Sequence, residues 1–191
     1  MLLAIDGRSG AGKSTLATAL LDALLADGVD AELFRLEDLY PGWDGLRAGI
    51  DAYVLDVLTP LTEGRTAEWS PWDWASDAPA SLTRSTRPAG VVLCEGVGAG
   101  AAPARALLDA TLTLRAAATD RKRRALARDG ETYRPHWERW AAQEEALPAV
   151  PDAAGDLTLD ARDPADPALF AAALAWARSA VARAGVTAAR R

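Results

Sequence analysis

The sequence predicts an α/β protein with a parallel sheet covered by helices on both faces, and three observations carry that expectation. Short apolar runs of strand length alternate with longer segments whose apolar residues recur every three or four positions. Two of the runs, Leu2–Ile5 and Val91–Cys94, are unbroken in apolar character, as strands buried on both faces are. A glycine-rich turn joins the first run to the first helical segment, at the end of a strand where parallel sheets bind their ligands. We expect a three-layer α/β fold with a five-stranded parallel sheet, in one domain spanning residues 1–191.

The elements follow in order. Leu2–Asp6 is the first strand. Ser14–Ala26 is a helix with Leu16, Ala17, Leu20, Leu21, Leu24 and Leu25 at its apolar positions and Gly28 as its C-cap. Ala31–Leu36 is the second strand. Glu37–Gly49 holds Pro41, Gly42, Gly45 and Gly49 and reads as a loop. Ile50–Thr62 reads as a helix that Pro60 can end early. Arg65–Gly90 is polar and carries proline and tryptophan; its length marks it as a functional loop. Val91–Glu95, stopped by Gly96, and Thr111–Leu114 are strands, and Leu157–Leu159 is an edge strand. Thr119–Arg128 is a basic helix and Tyr133–Leu147 continues helically. Ala168–Ala184 is an amphipathic terminal helix.

Composition narrows the function. Half of the 191 residues are hydrophobic and a quarter are charged, enough for a sizeable core. A net charge of −6 disfavours a general nucleic-acid or anionic-membrane binder, although a local basic stretch can still grip phosphates. One cysteine and one histidine leave no internal disulfide and no cysteine- or histidine-rich metal site. No apolar run approaches the roughly 18–20 residues of a membrane span, and the N-terminus lacks a basic leader region, so a cytoplasmic protein is expected.

Gly7-Arg8-Ser9-Gly10-Ala11-Gly12-Lys13-Ser14 matches G-x-x-x-x-G-K-S in full. The glycines let successive backbone N–H groups turn inward around a phosphate. The helix that starts there points its positive end at the same anion. Lys13 adds a charge for the outer phosphates and Ser14 a hydroxyl for Mg2+. Gly7, Ser9, Gly10, Ala11, Gly12, Lys13, Ser14 and Thr15 are therefore the expected nucleotide-binding set.

Three more segments carry chemistry. Leu36-Glu37-Asp38-Leu39-Tyr40 follows the second strand, where a carboxylate can take the proton of a substrate hydroxyl. Val91-Val92-Leu93-Cys94-Glu95 ends a buried strand on an acid, placing Glu95 near Mg2+ or its waters, while Cys94 reads as a buried apolar residue. Arg121, Arg124 and Arg128 share one helix face by their spacing, and guanidinium groups match phosphate geometry and the charge that develops in transfer. Trp43, Trp69, Trp72 and Trp74 crowd the loops beside the expected acceptor site. His136, Trp137 and Trp140 read as packing or surface residues.

Together these segments resemble the uridine kinase branch of P-loop kinases, a group that also includes phosphoribulokinase and bacterial pantothenate kinase. The resemblance runs from Leu2 to about Asp129. Ile5–Ser14 is similar to the family's P-loop. Glu37-Asp38-Leu39-Tyr40 resembles its D-[DS]-F-Y segment, whose first Asp is the catalytic base. Ser70-Pro71-Trp72-Asp73-Trp74 resembles its P-x-Y-D-F acceptor segment. Arg121-x-x-Arg124-x-x-x-Arg128-Asp129 resembles its lid helix, and Glu95-Gly96 matches an E-G after the third strand. Counted back from Tyr40, the base position falls on Glu37; Asp38 is the only Asp of the segment, and we favour it for its shorter reach. The family's acceptor Tyr is Trp72 here, and its R-G-R after the lid is Gly130-Glu131-Thr132.

The resemblance implies a strand order of 2-3-1-4-5, a short helical lid over about residues 117–147, and transfer of the γ-phosphoryl group of Mg-ATP to a substrate hydroxyl. In that reading Asp38 or Glu37, Lys13, Arg124 and Arg128 are catalytic, and Arg121 and Arg124 join the cradle in binding ATP. Tyr40, Trp43, Trp72, Asp73 and Trp74 bind the acceptor, and Ser14 and Glu95 hold Mg2+. The expected partners are ATP and a small hydroxylated molecule, with no nucleic acid or membrane, in a monomer or homodimer. The rivals are a kinase for another metabolite or a nucleoside monophosphate, which would draw on Arg47, Arg84 and Arg87, and a nucleotide-binding regulatory protein.

Overall fold

The computed structural model describes residues 1–185. The chain begins with β1 (Leu2–Asp6), α1 (Lys13–Ala26) and β2 (Ala31–Arg35), followed by a 3-10 turn over Leu36–Leu39. A helical stretch comes next: α2 (Leu46–Ala52), a widened π turn over Tyr53–Leu58, and α3 (Thr59–Thr62). Four short strands follow, β3 (Ala67–Trp69), β4 (Trp72–Asp73), β5 (Ala78–Pro79) and β6 (Arg84–Thr86). The rest is β7 (Val91–Glu95), α4 (Ala102–Arg105), β8 (Ala110–Arg115), α5 (Ala118–Tyr133), a 3-10 turn over Arg134–His136, α6 (Trp137–Ala146), β9 (Leu157–Asp160) and α7 (Pro167–Arg183).

Five strands form the parallel sheet in the order β2-β7-β1-β8-β9. The expectation of 2-3-1-4-5 counted only the strands of this sheet. β3 to β6 lie outside it and fall between its second and third members in the chain, so the chain numbering differs from the expected one. Strand alternation splits the core in two. Leu2, Ala4, Phe34, Val92 and Cys94 pack towards α2 and α6, and Leu3, Ile5, Val91, Leu93 and Leu112 pack towards α1 and α7. Each buried Leu, Val or Ile contributes about 1.5–3 kcal/mol by leaving water.

The expected loop Glu37–Gly49 already gives way to helix at Leu46, and two further expectations change. Arg65–Gly90 is not an open loop: β3 pairs with β6 and β4 with β5, both antiparallel. Runs of two or three residues are too short to show an alternating pattern. Pro60 does not end its helix, which runs from Leu46 to Thr62. The π turn before it opens the ladder, with the Thr59 N–H and its hydroxyl (2.8 Å) both given to the Val54 carbonyl, so the proline ring is accommodated.

The register brings the site together. Ile5 lies beside Glu95, and Glu95 beside Arg35, so β1, β7 and β2 end at one level. Asp6 fastens that end: its carboxylate accepts the N–H groups of Gly7 (2.6 Å), Gly98 (2.8 Å) and Gly100 (2.9 Å). Asp6→Asn turns one acceptor into a donor facing N–H groups. It is expected to lower the free energy of unfolding by about 1–3 kcal/mol, measured by urea unfolding; an unchanged midpoint would show that the clasp adds nothing.

Candidate active site

The turn between β1 and α1 is built for an anion. Gly10 and Gly12 have φ of 78° and 99°, the left-handed region that glycine adopts freely. Gly10 also lets α5 come close, since a Cβ there would sit 2.1 Å from the Arg121 carbonyl oxygen. Gly12 is the N-cap of α1 and offers no side-chain cap. Among the described residues the Gly10 and Gly12 N–H groups have no protein acceptor, whereas Ala11 N–H is given to the Arg8 carbonyl (3.1 Å). These open donors and the α1 dipole make a phosphate cradle. Lys13 is buried, 8% exposed, and its ammonium donates to the Arg8 carbonyl (3.4 Å). Burial lowers its pKa, and Glu95, Asp6 and Glu144 oppose that shift.

A cavity of about 310 Å³ opens beside the cradle. Ser9, Gly10, Lys13 and Ser14 form one wall, and Tyr40, Trp43, Trp74, Tyr133 and Trp140 an aromatic one. Glu37, Glu95, Arg128 and Asp129 stand between them. Glu37 is open to the cavity, yet the surrounding walls strip enough water to raise its pKa. Glu95 and Asp129 push the same way, and Arg128 and Lys13 oppose them. Glu95 is buried, 3% exposed, with the Arg35 guanidinium 3.7 Å away. Arg128 grips Asp129 with two hydrogen bonds (2.7 and 2.6 Å).

The expected site residues divide. Ser9, Gly10, Lys13, Ser14, Glu37, Tyr40, Trp43, Trp74, Glu95 and Arg128 meet at the cavity, while Gly7, Ala11, Gly12 and Thr15 do not line it. Ala11 is fully buried, Gly12 backs onto Pro164, and Thr15 faces outward.

Asp38, favoured above, is turned away from the cavity. Its carboxylate accepts two bonds from Arg84 (2.7 and 2.8 Å) and one from the Trp69 indole (3.3 Å). Leu36 and Tyr40 are buried on either side of the pair, with the Tyr40 hydroxyl donated to the Val97 carbonyl (2.8 Å), and this register gives Glu37 the cavity. Trp72 and Asp73 also lie outside it. Asp73 shapes the β4–β5 turn by accepting Ala75 N–H (3.0 Å) and the Ser76 hydroxyl (2.7 Å).

Arg121 and Arg124 do not reach the cavity either, despite their spacing. Arg121 is buried and donates to the Ser9 carbonyl (3.1 Å) and to Glu144 (3.3 Å). Arg124 donates to the Ala161 carbonyl (3.1 Å) and the Asp120 carbonyl (3.2 Å). The first turns of α5 press directly on the cradle, leaving no room there, and only Arg128 projects past it.

Trp43 lines the cavity, but its ring stacks on Tyr133 (5.0 Å between centroids) and on His136 (4.6 Å). It joins the loop after β2 to the segment between α5 and α6. Gln143 ties the same loop from α6 by donating to the Trp43 carbonyl (2.8 Å) and accepting Leu46 N–H (3.3 Å). The Trp74 indole N–H has no protein acceptor among the described residues. Sequence reasoning missed Val97, Asp129, Thr132 and Tyr133 as cavity residues and read Trp140 only as packing or surface; Asp129 was visible beside Arg128, and Val97, Thr132 and Tyr133 carry no motif signal.

Ser14 and Glu95 suit Mg2+, a cation that keeps several waters and takes one or two protein ligands beside phosphate oxygens. Among the described residues no group of three or more His, Cys, Asp or Glu offers an all-protein metal cage.

Neither a family model nor a curated protein sequence matches the chain. Solved structures do. A structure described as a possible uridine kinase from Bacillus stearothermophilus is similar with a TM-score of 0.55 and 18% identity, over 76% of this chain and 83% of that one. A gluconokinase from Sinorhizobium meliloti 1021 aligns with a TM-score of 0.53 and 15% identity, over 95% of this chain and 91% of that one. A sugar kinase from Janibacter sp. HTCC2649 aligns with a TM-score of 0.52 and 19% identity, over 97% and 98%. The chain thus shares its fold with structures described as a possible uridine kinase, a gluconokinase and a sugar kinase. None of the described helices is long and apolar enough to cross a membrane.

The raised pKa of Glu37 has a sign that can be checked. The folded protein holds that proton more tightly than the unfolded chain, so the group favours folding below its ordinary pKa. That contribution is lost as pH rises through the raised value. Glu37→Gln is neutral throughout and should raise Tm relative to the parent at about pH 8, with the gain vanishing towards about pH 4. A gain that grew on acidification would contradict burial as the dominant cause.

Proposed function

We propose that this protein is an ATP-dependent small-molecule kinase that transfers the γ-phosphoryl group to a hydroxyl of a small acceptor. The observation that carries the reading is the meeting of an open phosphate cradle and a poised carboxylate, Glu37, in one cavity with an aromatic far wall. Simple nucleotide binding requires neither the carboxylate nor the wall.

The open amides of Gly10 and Gly12, the α1 N-terminus and Lys13 bind the phosphates. Ser14 and Glu95 would hold Mg2+, which when bound neutralises the developing phosphate charge. Glu37 orients the acceptor hydroxyl and takes its proton. The acceptor oxygen forms a bond to the γ-phosphorus as the bond to the bridging oxygen breaks, and that electron pair leaves on ADP. Arg128 lies where charge builds on the transferring group. Residues of about 117–147 act as the lid and exclude water. Tyr40, Tyr133 and Trp74 line the acceptor side of the cavity with aromatic rings, which suits a nucleoside or sugar with a flat or apolar face. The raised pKa of the buried Tyr40 keeps its phenol neutral, and its hydroxyl is given to the Val97 carbonyl, so it serves as a wall rather than a base. Such a reaction belongs in the ATP-supplied cytoplasm.

The test is ATP consumption by the pure protein with Mg2+, screened against nucleosides, sugars and sugar acids. Turnover should appear only with an acceptor; acceptor-independent hydrolysis, or binding with no turnover on any acceptor, would favour a regulatory nucleotide binder. Lys13→Ala should weaken ATP binding about 10- to 150-fold for each charged hydrogen bond lost, read by calorimetry; unchanged affinity in a folded variant would remove the cradle.

Glu37→Gln should lower kcat by about 10²–10⁴ with little change in ATP affinity, while Asp38→Asn, outside the cavity, stays within about tenfold of the parent. The reverse ranking would move the base to Asp38. Because the base must be ionised, kcat/KM should fall on acidification through a pKa above the ordinary glutamate range.

A further inference from the structure

Glu144 carries no sequence signal, yet its side chain is 1% exposed and accepts three donors. The Ser9 N–H reaches Oε1 at 2.7 Å, the Trp140 indole reaches the same oxygen at 3.1 Å, and the Arg121 guanidinium reaches Oε2 at 3.3 Å. Arg121 also donates to the Ser9 carbonyl at 3.1 Å. Both backbone polar groups of Ser9, within the cradle sequence, are therefore claimed by α5 and α6. No such partner meets Gly10 or Gly12 among the described residues.

Two consequences follow. The Ser9 N–H is withdrawn from the donors available to a phosphate, and Arg121 is kept on the back of the turn instead of facing the ligand. The Glu144 charge also partly offsets the lowering of the Lys13 pKa by burial.

We propose that Glu144 is a positioning residue of the phosphate site, which fixes the first turn of the cradle through Ser9 and weakens the hold on the terminal phosphate. The phosphate role rests on the kinase reading; the Ser9 clasp does not. Glu144 thereby narrows the difference between the affinities for ATP and ADP.

Two measurements test it. In the nucleotide-free full-length protein, NMR-detected hydrogen exchange should find Ser9 protected at least about 100-fold more than Gly10 and Gly12, after correction for intrinsic rates. Adding Mg2+ and a non-hydrolysable ATP analogue should newly protect Gly10 and Gly12 and leave Ser9 as it was. Glu144→Gln keeps an oxygen for Ser9 and Trp140 but removes the charge and frees Arg121. It should shift the ratio of ADP to ATP dissociation constants about tenfold in favour of ATP, measured by calorimetry.

A folded variant with an unchanged ratio, showing only a lower Tm, would make Glu144 a packing residue and overturn the proposal. Fast exchange at Ser9 in the parent would overturn it too, and that result does not depend on the variant folding. Failure of the kinase reading looks different: the parent would bind neither nucleotide, and the phosphate role would fall with it even if Ser9 stayed protected.

Discussion

Backbone N–H groups left without a protein acceptor make a place for an anion, and the structure is organised around holding a set of them open at the β1–α1 turn. A chain free to relax would pair such donors within the turn. Here it cannot. Asp6 fixes the exit of β1 and takes the adjacent Gly7 N–H, Ala11 N–H is already given to Arg8, and Ser9 is held by Glu144 and Arg121. Gly10 and Gly12 remain open together with the first amides of α1, beside the Lys13 ammonium, a combination that suits an anion.

The same restraint sets the charges around the cavity. Lys13 and Arg128 bring positive charge, and Glu37, Glu95 and Asp129 bring negative charge, within a space too walled to screen them fully. Arg128 is partly neutralised by Asp129 and Glu95 lies beside Arg35, which leaves Glu37 the carboxylate without a close partner of its own. The loop after β2 is fastened to α6 by Gln143 and by the stack of Trp43 on Tyr133 and His136. Movement of the α5–α6 region would therefore carry the acceptor wall with it, coupling the two halves of the cavity mechanically.

Much of this was legible in the sequence. The cradle follows from glycine spacing alone, and the sheet follows from apolar runs of strand length. The choice between Glu37 and Asp38 was not legible, because β2 gives way to a 3-10 turn and the pair's orientation is decided by where Leu36 and Tyr40 are buried. Leu36 packs so closely on Gly96 that a Cβ on the glycine would lie 2.4 Å from the leucine Cβ, a contact across two strands. Arg121 and Arg124 show the limit of helical periodicity: spacing names the face but not what is packed over it. β3 to β6 were too short to register as strands, and Glu144 is a single acid in a polar helix, given meaning only by tertiary contact.

The central claim is that the open amides and Glu37 serve one reaction, and a crystal structure with Mg2+ and a non-hydrolysable ATP analogue tests it most directly. Phosphate oxygens are expected within hydrogen-bond distance, about 2.7–3.2 Å, of the Gly10 and Gly12 N–H groups and the Lys13 ammonium. The terminal phosphate should face the Glu37 carboxylate across a gap wide enough for a hydroxyl, with Asp38 still held by Arg84. An analogue bound away from the cradle, or a terminal phosphate facing an Asp38 released from Arg84 while Glu37 points elsewhere, would contradict it.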